Sequence, residues 1–301
     1  SRGFLGIINI FYAYILVFSK IFRADVIHIR SYAFIPFAIL GSFLSKKVIW
    51  DPRGILSMEI EDLDGSKSLT TNLLFYLEKV ALLFSDSIIC VSNKMKDYFL
   101  NRSKKAIVVI PNPTKLKNYN PNNKSKVINI VYSGRLLKWH SKDSILTCYR
   151  TLKNSNKKFI FNLLTPDISL AYDLFKDEDI NPNNLNIRSC AIKEIPAVLD
   201  KAHIGLCLIE PSKSKKYCAP VKFAEYLAAE MLVLGNLNVG DVSDYILETG
   251  NGAVIKNLDS ENVSKGLKVL IEKVHNNYIF NKEGLMKYSW ESNINILISL
   301  Y

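Results

Sequence analysis

Apolar runs of strand length alternate with longer stretches of helical periodicity over most of the chain. Four early runs are apolar almost throughout, as strands buried on both faces of a parallel sheet must be. They are DVIHIR from residue 25, KKVIWD from 46, DSIICVS from 86 and KAIVVIPNP from 105. The stretches between them predict helices near residues 34–44, 69–84 and 93–100. This order is typical of β-α-β units with a parallel sheet.

The alternation is interrupted at residues 115–126, KLKNYNPNNKSK, where polar residues dominate, and then it resumes. The later pattern predicts the strands VINIVYSG, FIFNLL, LNIRS, IGLCLIE and MLVLGN, with helices near 142–153, 169–175, 195–201, 219–230, 260–274 and 290–300. We therefore predict a first domain at 1–114, a linker at 115–126, a second domain at 127–285 and a closing helix at 286–301. Two doubly wound α/β domains facing each other across a cleft would bind ligands at the carboxyl ends of their strands.

The chain opens on the apolar stretch FLGIINIFYAYILVFSKIF, which carries no charge from Phe4 to Ser19. A membrane-spanning helix needs about 20 apolar residues, so the length is marginal. Because the strand DVIHIR follows at once, we interpret the stretch as a buried or interface-lying helix of the first domain. A doubly wound domain that begins on a helix lacks its first strand, so we expect this domain to be incomplete at its N-terminus.

The charge and the cysteines narrow the class of partner. The 301 residues carry a net charge of +11, which favours an anionic partner such as a phosphorylated ligand or an acidic membrane surface. The lysines are scattered and no zinc-finger or RNP-like motif is present, which argues against nucleic acid. The five cysteines are widely spaced without metal-ligand spacing, and no signal peptide is recognisable, so we expect a reduced, cytoplasmic protein.

The stretch APVKFAEYLAAE, residues 219–230, carries the candidate chemistry. Pro220 suits the first position of a helix, whose N-terminus attracts phosphate, and Lys222 adds a positive charge there. Glu225 lies three residues on, on the same face, where it can accept hydrogen bonds from the two hydroxyls of a ribose. The alternative is a surface ion pair between Lys222 and Glu225, worth a few tenths of a kcal/mol, roughly, and the pair alone favours that alternative.

Neighbouring motifs resemble glycosyltransferase family 4 over nearly the whole chain. They are VIHIRSY, DPRGILSME, VYSGRLLKWHS, EIPAVLDKAHIGLCLIEPS, APVKFAEYLAAEMLVLGNLNVGDVSDYI and YSWESNINILISLY. The resemblance implies the GT-B fold, with two Rossmann-like domains. It also implies sugar transfer with retention, without a metal or other cofactor, from a nucleoside diphosphate sugar as the substrate. The residues agree, because no DxD pair stands at a strand end and basic groups can offset the departing diphosphate.

The resemblance also implies roles for single residues. Glu225 would hold the donor ribose, Lys222 would face the phosphates, and Arg135 would bind the diphosphate; we expect these three to be the catalytic residues. The expected donor-binding residues are Gly134, Lys138, Thr165, Ile192, Ala219, Pro220 and Val221. The expected acceptor-side residues are Arg53, Gly54 and Glu59, and no metal ligand is expected.

The sequence departs from the family pattern at three positions of this region. Tyr217 stands where the first glutamate of the E-x7-E motif is usual, Glu230 where a glycine is usual, and Leu232 where a proline is usual. These changes put in doubt how the donor sugar is held and how the predicted helix at residues 219–230 ends.

Other polar residues have plainer interpretations. The acidic run 59–64 is interpreted as a solvated loop, apart from the family match of Glu59, and His28 as a packed core histidine within a strand. Lys213, Lys215 and Lys216 are interpreted as a solvated loop. For His140 a ligand contact and a surface role remain equally good.

The leading functional hypothesis is a hexosyltransferase that acts on a glycan or lipid-linked acceptor of a bacterial surface polysaccharide, such as lipopolysaccharide or capsule. The first helix and the basic charge would favour peripheral contact with the anionic inner face of the cell membrane. One alternative is a catalytically silent or truncated module that binds a nucleotide sugar, which Tyr217 and the missing strand favour. Another is a sugar-nucleotide epimerase of the same fold, although no convincing acid–base pair is recognisable.

Overall fold

The computed structural model describes residues 2–116, 124, 127–155 and 157–301. The chain divides into two compact units, one of residues 1–110 with 295–301 and one of residues 111–294. The division falls after Ile110, whereas the sequence placed it after residue 114. Most of the predicted linker 115–126 lies outside the described residues.

The first unit is a parallel sheet with strand order β1-β2-β3-β4. Its strands are β1 (Val26–Ile29), β2 (Lys47–Trp50), β3 (Ser87–Cys90) and β4 (Ala106–Val109), which confirms the four predicted strands. Its helices are α1 (Arg2–Ile21), α2 (Pro36–Phe43), α3 (Leu56–Asp64), α4 (Leu69–Phe84) and α5 (Asn93–Leu100). The two central strands, β2 and β3, are largely buried, as their apolar runs predicted, with Ile49, Trp50 and Ile88 fully enclosed. The edge strands β1 and β4 are mostly half-buried.

The first helix is confirmed as an element of this unit. The Tyr14 ring lies 4.9 Å from the Phe37 ring and 5.3 Å from the Phe34 ring, measured between centroids, and Ile21 is buried. Tyr12 and Phe18 are more than half exposed. Among the residues that the structure describes, no helix combines the length and the apolar character needed to cross a membrane.

The interpretation of residues 59–64 as a loop is wrong, because they form most of α3 (Leu56–Asp64). The helix ends at Gly65, whose positive φ of 74° provides the left-handed C-cap that a glycine adopts without strain. Its first turn is held by Ser57, which is buried and donates from Oγ to Glu78 of α4 at 2.6 Å. This contact between two helices is tertiary, so the local clustering of acidic residues did not reveal it.

The second unit is a six-stranded parallel sheet with order β10-β9-β8-β5-β6-β7. Its strands are β5 (Ile128–Ser133), β6 (Phe159–Leu164), β7 (Leu185–Arg188), β8 (Ile204–Cys207), β9 (Leu232–Asn236) and β10 (Gly252–Ile255). Its helices are α6 (Lys142–Lys153), α7 (Ile168–Phe175), α8 (Ile195–Leu199), α9 (Val221–Ala228), α10 (Val242–Thr249) and α11 (Ser260–His275), and α12 (Trp290–Ser299) follows. All five predicted strands are confirmed, while β10 and α10 were not predicted.

The order of the strands determines where a ligand can bind. From β5 the chain moves outward through β6 and β7, and it then returns to the other side of β5 to form β8, β9 and β10. The direction of winding therefore reverses between β5 and β8. In open α/β sheets, such a reversal leaves a crevice at the carboxyl ends of the two strands.

Candidate functional site

A cavity of about 330 Å³ lies at this switch point in the second unit. It is bordered by the end of β5, the segment after β8 and the start of α9. The residues that line it are Ser133, Gly134, Trp139, His140, Ile209, Lys215, Cys218, Ala219, Pro220, Val221, Lys222 and Glu225. Six predicted site residues are thus brought together here, namely Gly134, Ala219, Pro220, Val221, Lys222 and Glu225.

The helix that carries Lys222 and Glu225, α9, begins one residue later than predicted. Pro220 is the N-cap of α9 and has an extended conformation, with φ −64° and ψ 124°, and Val221 is the first helical residue. The fixed φ of proline fits either position, so the sequence could not distinguish them. Within the described ranges no side chain caps the first turn. Because Pro220, Val221 and Lys222 line the cavity, the helix N-terminus and its dipole border it.

Tyr226 fixes the helix against the sheet. Its hydroxyl accepts a hydrogen bond from the Ser133 backbone N–H at the end of β5, at 2.9 Å. Its ring packs so closely on β8 that any side chain at Gly205 would collide with it. These contacts hold the first turns of α9 beside the carboxyl end of β5.

Lys222 is a buried cation without a hydrogen-bond partner among the described residues. Its Nζ lies 3.9 Å from the centroid of the Tyr132 ring, a cation–π contact. Burial lowers the pKa of Lys222 to about 8, although Cys207 and Glu225 act in the opposite direction. A buried ammonium that is still mainly protonated at neutral pH is costly unless an anion pairs with it.

Gly134 makes room for this ammonium. A Cβ at position 134 would lie 3.0 Å from the Lys222 Nζ, and the residue has a φ of 136°, a region that favours glycine. The glycine of the VYSG motif is therefore favoured for two reasons: it leaves space for the lysine, and it adopts the positive φ without strain.

The predicted alternative of a Lys222–Glu225 ion pair is not observed among the described residues, although both line the cavity. Glu225 is half-buried, and its pKa is raised by burial, which the charge of Lys222 partly offsets. The two side chains share the cavity without neutralising each other, which leaves both available to a ligand.

Two more polar atoms of the cavity residues are buried and have no hydrogen-bond partner in the part of the chain described: Trp139 Nε1 and His140 Nδ1. The pKa of His140 is lowered to about 4 by burial and by the charges of Lys222 and Lys215. His140 is therefore neutral at pH 7, and of its two open interpretations the structure favours a place in the cavity. The solvated-loop interpretation of Lys215 is wrong, because its Nζ lies 3.8 Å from the centroid of the Trp139 ring at the cavity wall.

Arg135 is beside the cavity, but its side chain is held by Asp167. The guanidinium Nη2 donates to Asp167 Oδ1 at 2.7 Å, and the Leu136 N–H donates to Asp167 Oδ2 at 2.8 Å. The hydrogen bonds from Arg135 and Leu136 lower the pKa of Asp167. Asp167 was missed from the sequence, where its only signal is its position just after the strand FIFNLL.

The other predicted donor residues lie outside the cavity lining. Thr165 is 1% exposed at the end of β6, and its Oγ1 accepts a hydrogen bond from the Asp167 N–H at 3.1 Å. Lys138 is exposed, and Ile192 is 87% exposed before α8. Their roles remain predictions.

The family departures have distinct structural consequences. Glu230 has a left-handed φ of 49°, the conformation that a glycine adopts easily, and its carboxylate pairs with Lys282 at 2.6 Å. Leu232 is buried as the first residue of β9. Tyr217 ends a short 3-10 helix, Lys215–Tyr217, and is not one of the residues lining the cavity.

The predicted acceptor-side residues lie in the first unit, after β2. Arg53 donates from Nη1 to Asp51 at 3.1 Å. Asp51 is buried and also contacts Arg30 Nε and His28 Nε2, each at 3.3 Å. Burial acts to raise the pKa of Asp51, but the hydrogen bond from His28 and the charges of Arg53 and Arg30 hold it below its ordinary value.

His28 is therefore not a packed core histidine. It lies near the carboxyl end of β1, with 20% of its side chain exposed, and its Nδ1 is 2.7 Å from the hydroxyl of Tyr301. Because this tyrosine is the last residue of the chain, sequence proximity gave no sign of the contact.

Gly54 and Glu59 are in close contact in the same unit. A Cβ at Gly54 would lie 2.8 Å from Glu59 Oε1, and the Gly54 carbonyl accepts from the Tyr32 hydroxyl at 3.3 Å. Beneath them the buried Glu78 accepts from Tyr32 at 3.1 Å. Burial raises the pKa of Glu78, although the hydrogen bonds from Ser57 and Tyr32 act in the opposite direction. Neither Tyr32 nor Glu78 was expected from the sequence.

No group of three or more histidine, cysteine, aspartate or glutamate side chains within the described ranges could hold a metal ion.

Residues 3–118 match the family model of Glycosyltransferase Family 4. The expected resemblance to glycosyltransferase family 4 is confirmed. A comparison with the curated proteins finds no match by sequence. The family 4 match takes in residues 3–110 of the first unit and a few residues beyond them, but not its residues 295–301. The cavity lies in the second unit.

The solved structures extend the likeness to both units. Sucrose-phosphate synthase from Thermosynechococcus elongatus is 15% identical, with a TM-score of 0.68 over 97% of this chain and 75% of that one. HepE from Anabaena in complex with UDP is 14% identical, with a TM-score of 0.73 over 95% and 80%. A glycosyltransferase from Rickettsia africae is 16% identical, with a TM-score of 0.64 over 97% and 76%. At these identities the likeness establishes the fold, two Rossmann-like α/β domains of the GT-B class. With the family 4 match, it indicates a glycosyltransferase, an enzyme of the EC 2.4 class.

Proposed function

We propose that the chain transfers a sugar from a nucleoside diphosphate sugar to a glycan or lipid-linked acceptor in the synthesis of a bacterial surface polysaccharide. One observation carries the donor half of this proposal. The ammonium of Lys222 is buried at a helix N-terminus, in a cavity at the switch point, and none of the described residues offers it a hydrogen-bond acceptor.

The cavity suits a diphosphate because its charge is mainly positive. Lys215 and Lys222 line it, and His140 is neutral at pH 7 because its pKa is lowered to about 4 by burial and by these two lysines. An anion beside Lys222 would recover the cost of burying the ammonium, and the first turn of α9 adds its dipole. The bound diphosphate would therefore lie between α9 and the turn at Gly134.

Glu225 would hold the donor ribose. It lines the same cavity three residues after Lys222, and no described residue forms an ion pair with it. A carboxylate that accepts two hydrogen bonds from vicinal hydroxyls would orient the nucleoside while Lys222 holds the phosphates. HepE, which shares the fold, is in complex with UDP.

We further propose that the reaction proceeds with retention, moves a hexose and uses no metal or other cofactor. The leaving diphosphate would be stabilised by Lys222 and Lys215, whose charges are in place before the reaction starts. Arg135 would add a third cation if its guanidinium exchanged Asp167 for the diphosphate. Lys138, Thr165 and Ile192 retain their proposed donor-side roles.

The acceptor would be held by the first unit, through Arg53, Gly54 and Glu59. Asp51 and Glu78 would act as positioning residues there. Asp51 accepts a hydrogen bond from Arg53 itself, and Glu78 accepts one from Tyr32, whose hydroxyl also contacts the Gly54 carbonyl. The acceptor we propose is carried at the inner face of the cell membrane, and nucleic acid is not among the proposed partners.

The activity is tested by incubating the chain with UDP-, GDP- and ADP-sugars and measuring the nucleotide released, with and without membrane extracts as acceptor. We expect release from one donor class, at least about 100-fold slower in Lys222→Met, because transition-state charge on the leaving group loses its partner. The matched control is Lys268→Met, which changes an exposed lysine of α11. Equal nucleotide release by the wild type, Lys222→Met and Lys268→Met would contradict the proposal.

A silent module that binds a nucleotide sugar remains the second candidate, favoured by Tyr217 at the usual glutamate position. It predicts saturable nucleotide binding with no release from any donor. Binding and release are measured separately, so the two candidates give different results.

A further inference from the structure

The outer face of α4 in the first unit is apolar where a solvent-facing helix is normally polar. Leu69, Leu73, Tyr76 and Leu83 are 89%, 59%, 63% and 66% exposed. Their spacing of four, three and seven residues places them on one face of the helix. Thr71, Glu78, Ala81 and Leu82 of the same helix are buried on the opposite face. We call these four exposed residues the α4 stripe; at 1.5 Å per residue it is about 21 Å long.

A cavity of about 590 Å³ adjoins one end of this stripe. Leu83 belongs to both, and Phe75 and Leu82 add apolar lining. Four cations line the same cavity: Lys79, Arg102, Lys104 and Lys105. Of the described residues that line it, Glu78 is the acid, and its carboxylate is already bonded to Ser57 and Tyr32.

The cations are arranged so that their charges stay at the surface. The Arg102 guanidinium carbon lies 3.8 Å from the centroid of the Tyr98 ring, and its Nη1 donates to the Tyr98 carbonyl at 2.7 Å. Lys104 and Lys79 are exposed, with the Lys79 Nζ 4.8 Å from the centroid of the Phe75 ring. An apolar stripe beside a group of basic residues is the pattern of a surface that lies on an anionic bilayer.

We propose that the α4 stripe and the adjoining basic cavity form a docking surface for an anionic phospholipid bilayer, with a lipid phosphate held among Lys79, Arg102, Lys104 and Lys105. The charge pattern argues against a second copy of the chain as the occupant, because two copies joined through this face would bring the same cations together. The inference deepens the proposed function, since it gives the lipid-linked acceptor a location. It rests on the proposed function in this respect alone.

Vesicle co-sedimentation tests this surface with the full chain and no nucleotide. The vesicles contain phosphatidylcholine alone or equal parts of phosphatidylcholine and phosphatidylglycerol. The apolar variant is Leu73→Gln with Leu83→Gln, and the basic variant is Lys79→Gln with Lys104→Gln. All four side chains are exposed, so both variants should fold.

Matched controls change the same residue types in the second unit. Leu247→Gln with Ile279→Gln replaces side chains that are 69% and 87% exposed, and Lys265→Gln with Lys268→Gln removes two exposed lysines. We expect the wild type to bind only the vesicles with phosphatidylglycerol. The basic variant should bind about 25-fold more weakly, since each cation near an anionic surface is worth about fivefold. The apolar variant should bind at least about tenfold more weakly, and both controls should bind like the wild type.

Three results would overturn the proposal. The first is vesicle binding by the wild type that does not depend on phosphatidylglycerol, or vesicle binding that is as strong in both variants as in the wild type. The second is competition by inorganic phosphate at constant ionic strength, which would indicate a site for soluble phosphate. The third is a dimer in sedimentation analysis that the apolar variant dissociates, without vesicle binding by the wild type. Nucleotide titrations of the same variants should be unchanged, so failure here is distinct from failure of the proposed function.

Discussion

At the scale of single residues, the unusual feature is a buried lysine with no ion-pair partner in the part of the chain that the structure describes. Lys222 lies beside Tyr132 and beneath Gly134, and both contacts are made with its charged end. A lysine kept only for packing would be replaced at little cost by a methionine, which has similar length and no charge to bury. We propose that an anionic ligand accounts for an ammonium at this position.

Lys222→Met is expected to stabilise the protein without ligand, and the gain should depend on pH. Burial lowers the pKa of Lys222 from 10.5 to about 8. Between about pH 8 and pH 10.5 the unfolded chain binds more protons than the folded one. The stability of the wild type therefore rises with pH in this window. The charged lysine thus costs up to about 3 kcal/mol below pH 8, and the cost fades toward pH 10.5. Urea unfolding of both forms at pH 7 and pH 9.5 measures this difference.

The other titrating groups are the same in the wild type and in Lys222→Met, so their contributions cancel in the difference between the two free energies of unfolding. The excess stability of Lys222→Met should be larger at pH 7 than at pH 9.5. An excess that is the same at both values, or a destabilised variant, would mean that Lys222 has a partner in the unliganded protein.

Arg135 illustrates why a single residue's role is hard to predict. Its position after Gly134 is fixed by the turn that ends β5, but the direction of its side chain depends on Asp167, 32 residues later. The same holds for His140, whose pKa is lowered by burial and by the charges of Lys222 and Lys215, which come from a later part of the chain. Positions along a motif were predictable, whereas side-chain partners from other strands were not.

At the scale of elements, the site depends on how α9 is attached to the sheet. The Tyr226 hydroxyl accepts the backbone N–H of Ser133, and the absence of a side chain at Gly205 lets the ring approach β8. The helix that carries Lys222 and Glu225 is therefore tied to the strand that ends at Gly134.

Tyr226→Phe should destabilise the protein by about 1–3 kcal/mol, because it leaves a buried N–H without an acceptor. It should also weaken nucleotide binding, since α9 is no longer fixed to β5. Urea unfolding and nucleotide titration measure the two effects. Tyr172→Phe, which changes an exposed tyrosine of α7, is the control. A fully stable Tyr226→Phe protein would contradict the importance of this hydrogen bond.

The sheets were the most predictable elements, because strands buried on both faces read as unbroken apolar runs. β10, with the short sequence GAVI at the sheet edge, gave too weak a signal, and α3 was hidden by its acidic residues. Glu230 is a similar case: the resemblance expected glycine there, and the left-handed φ of 49° shows what the glycine would provide. The misses at β10 and α3 therefore come from weak or misleading local patterns, whereas Glu230 concerns a backbone angle that the local pattern does not encode.

At the scale of the whole molecule, the two units carry different evidence. The family 4 match falls on the first unit with a few residues beyond it, and the cavity with its buried lysine lies in the second. The likeness to solved structures extends over at least 95% of the chain for the first three described above, so both units share that fold. The proposed function requires both, because a donor site without an acceptor site is a binding module.

The most direct test of the central claim is calorimetric titration of the full chain with UDP, GDP, ADP and CMP. Lys222→Met and Glu225→Ala are titrated alongside, with Lys268→Met as the control. We predict saturable binding of one nucleoside diphosphate by the wild type and the control, at least about 30-fold weaker in Lys222→Met, since a charged hydrogen bond to phosphate is worth about 2 kcal/mol or more. A folded wild type that binds none of the four, or binds one of them equally well without Lys222, would contradict the assignment of this cavity as the donor site.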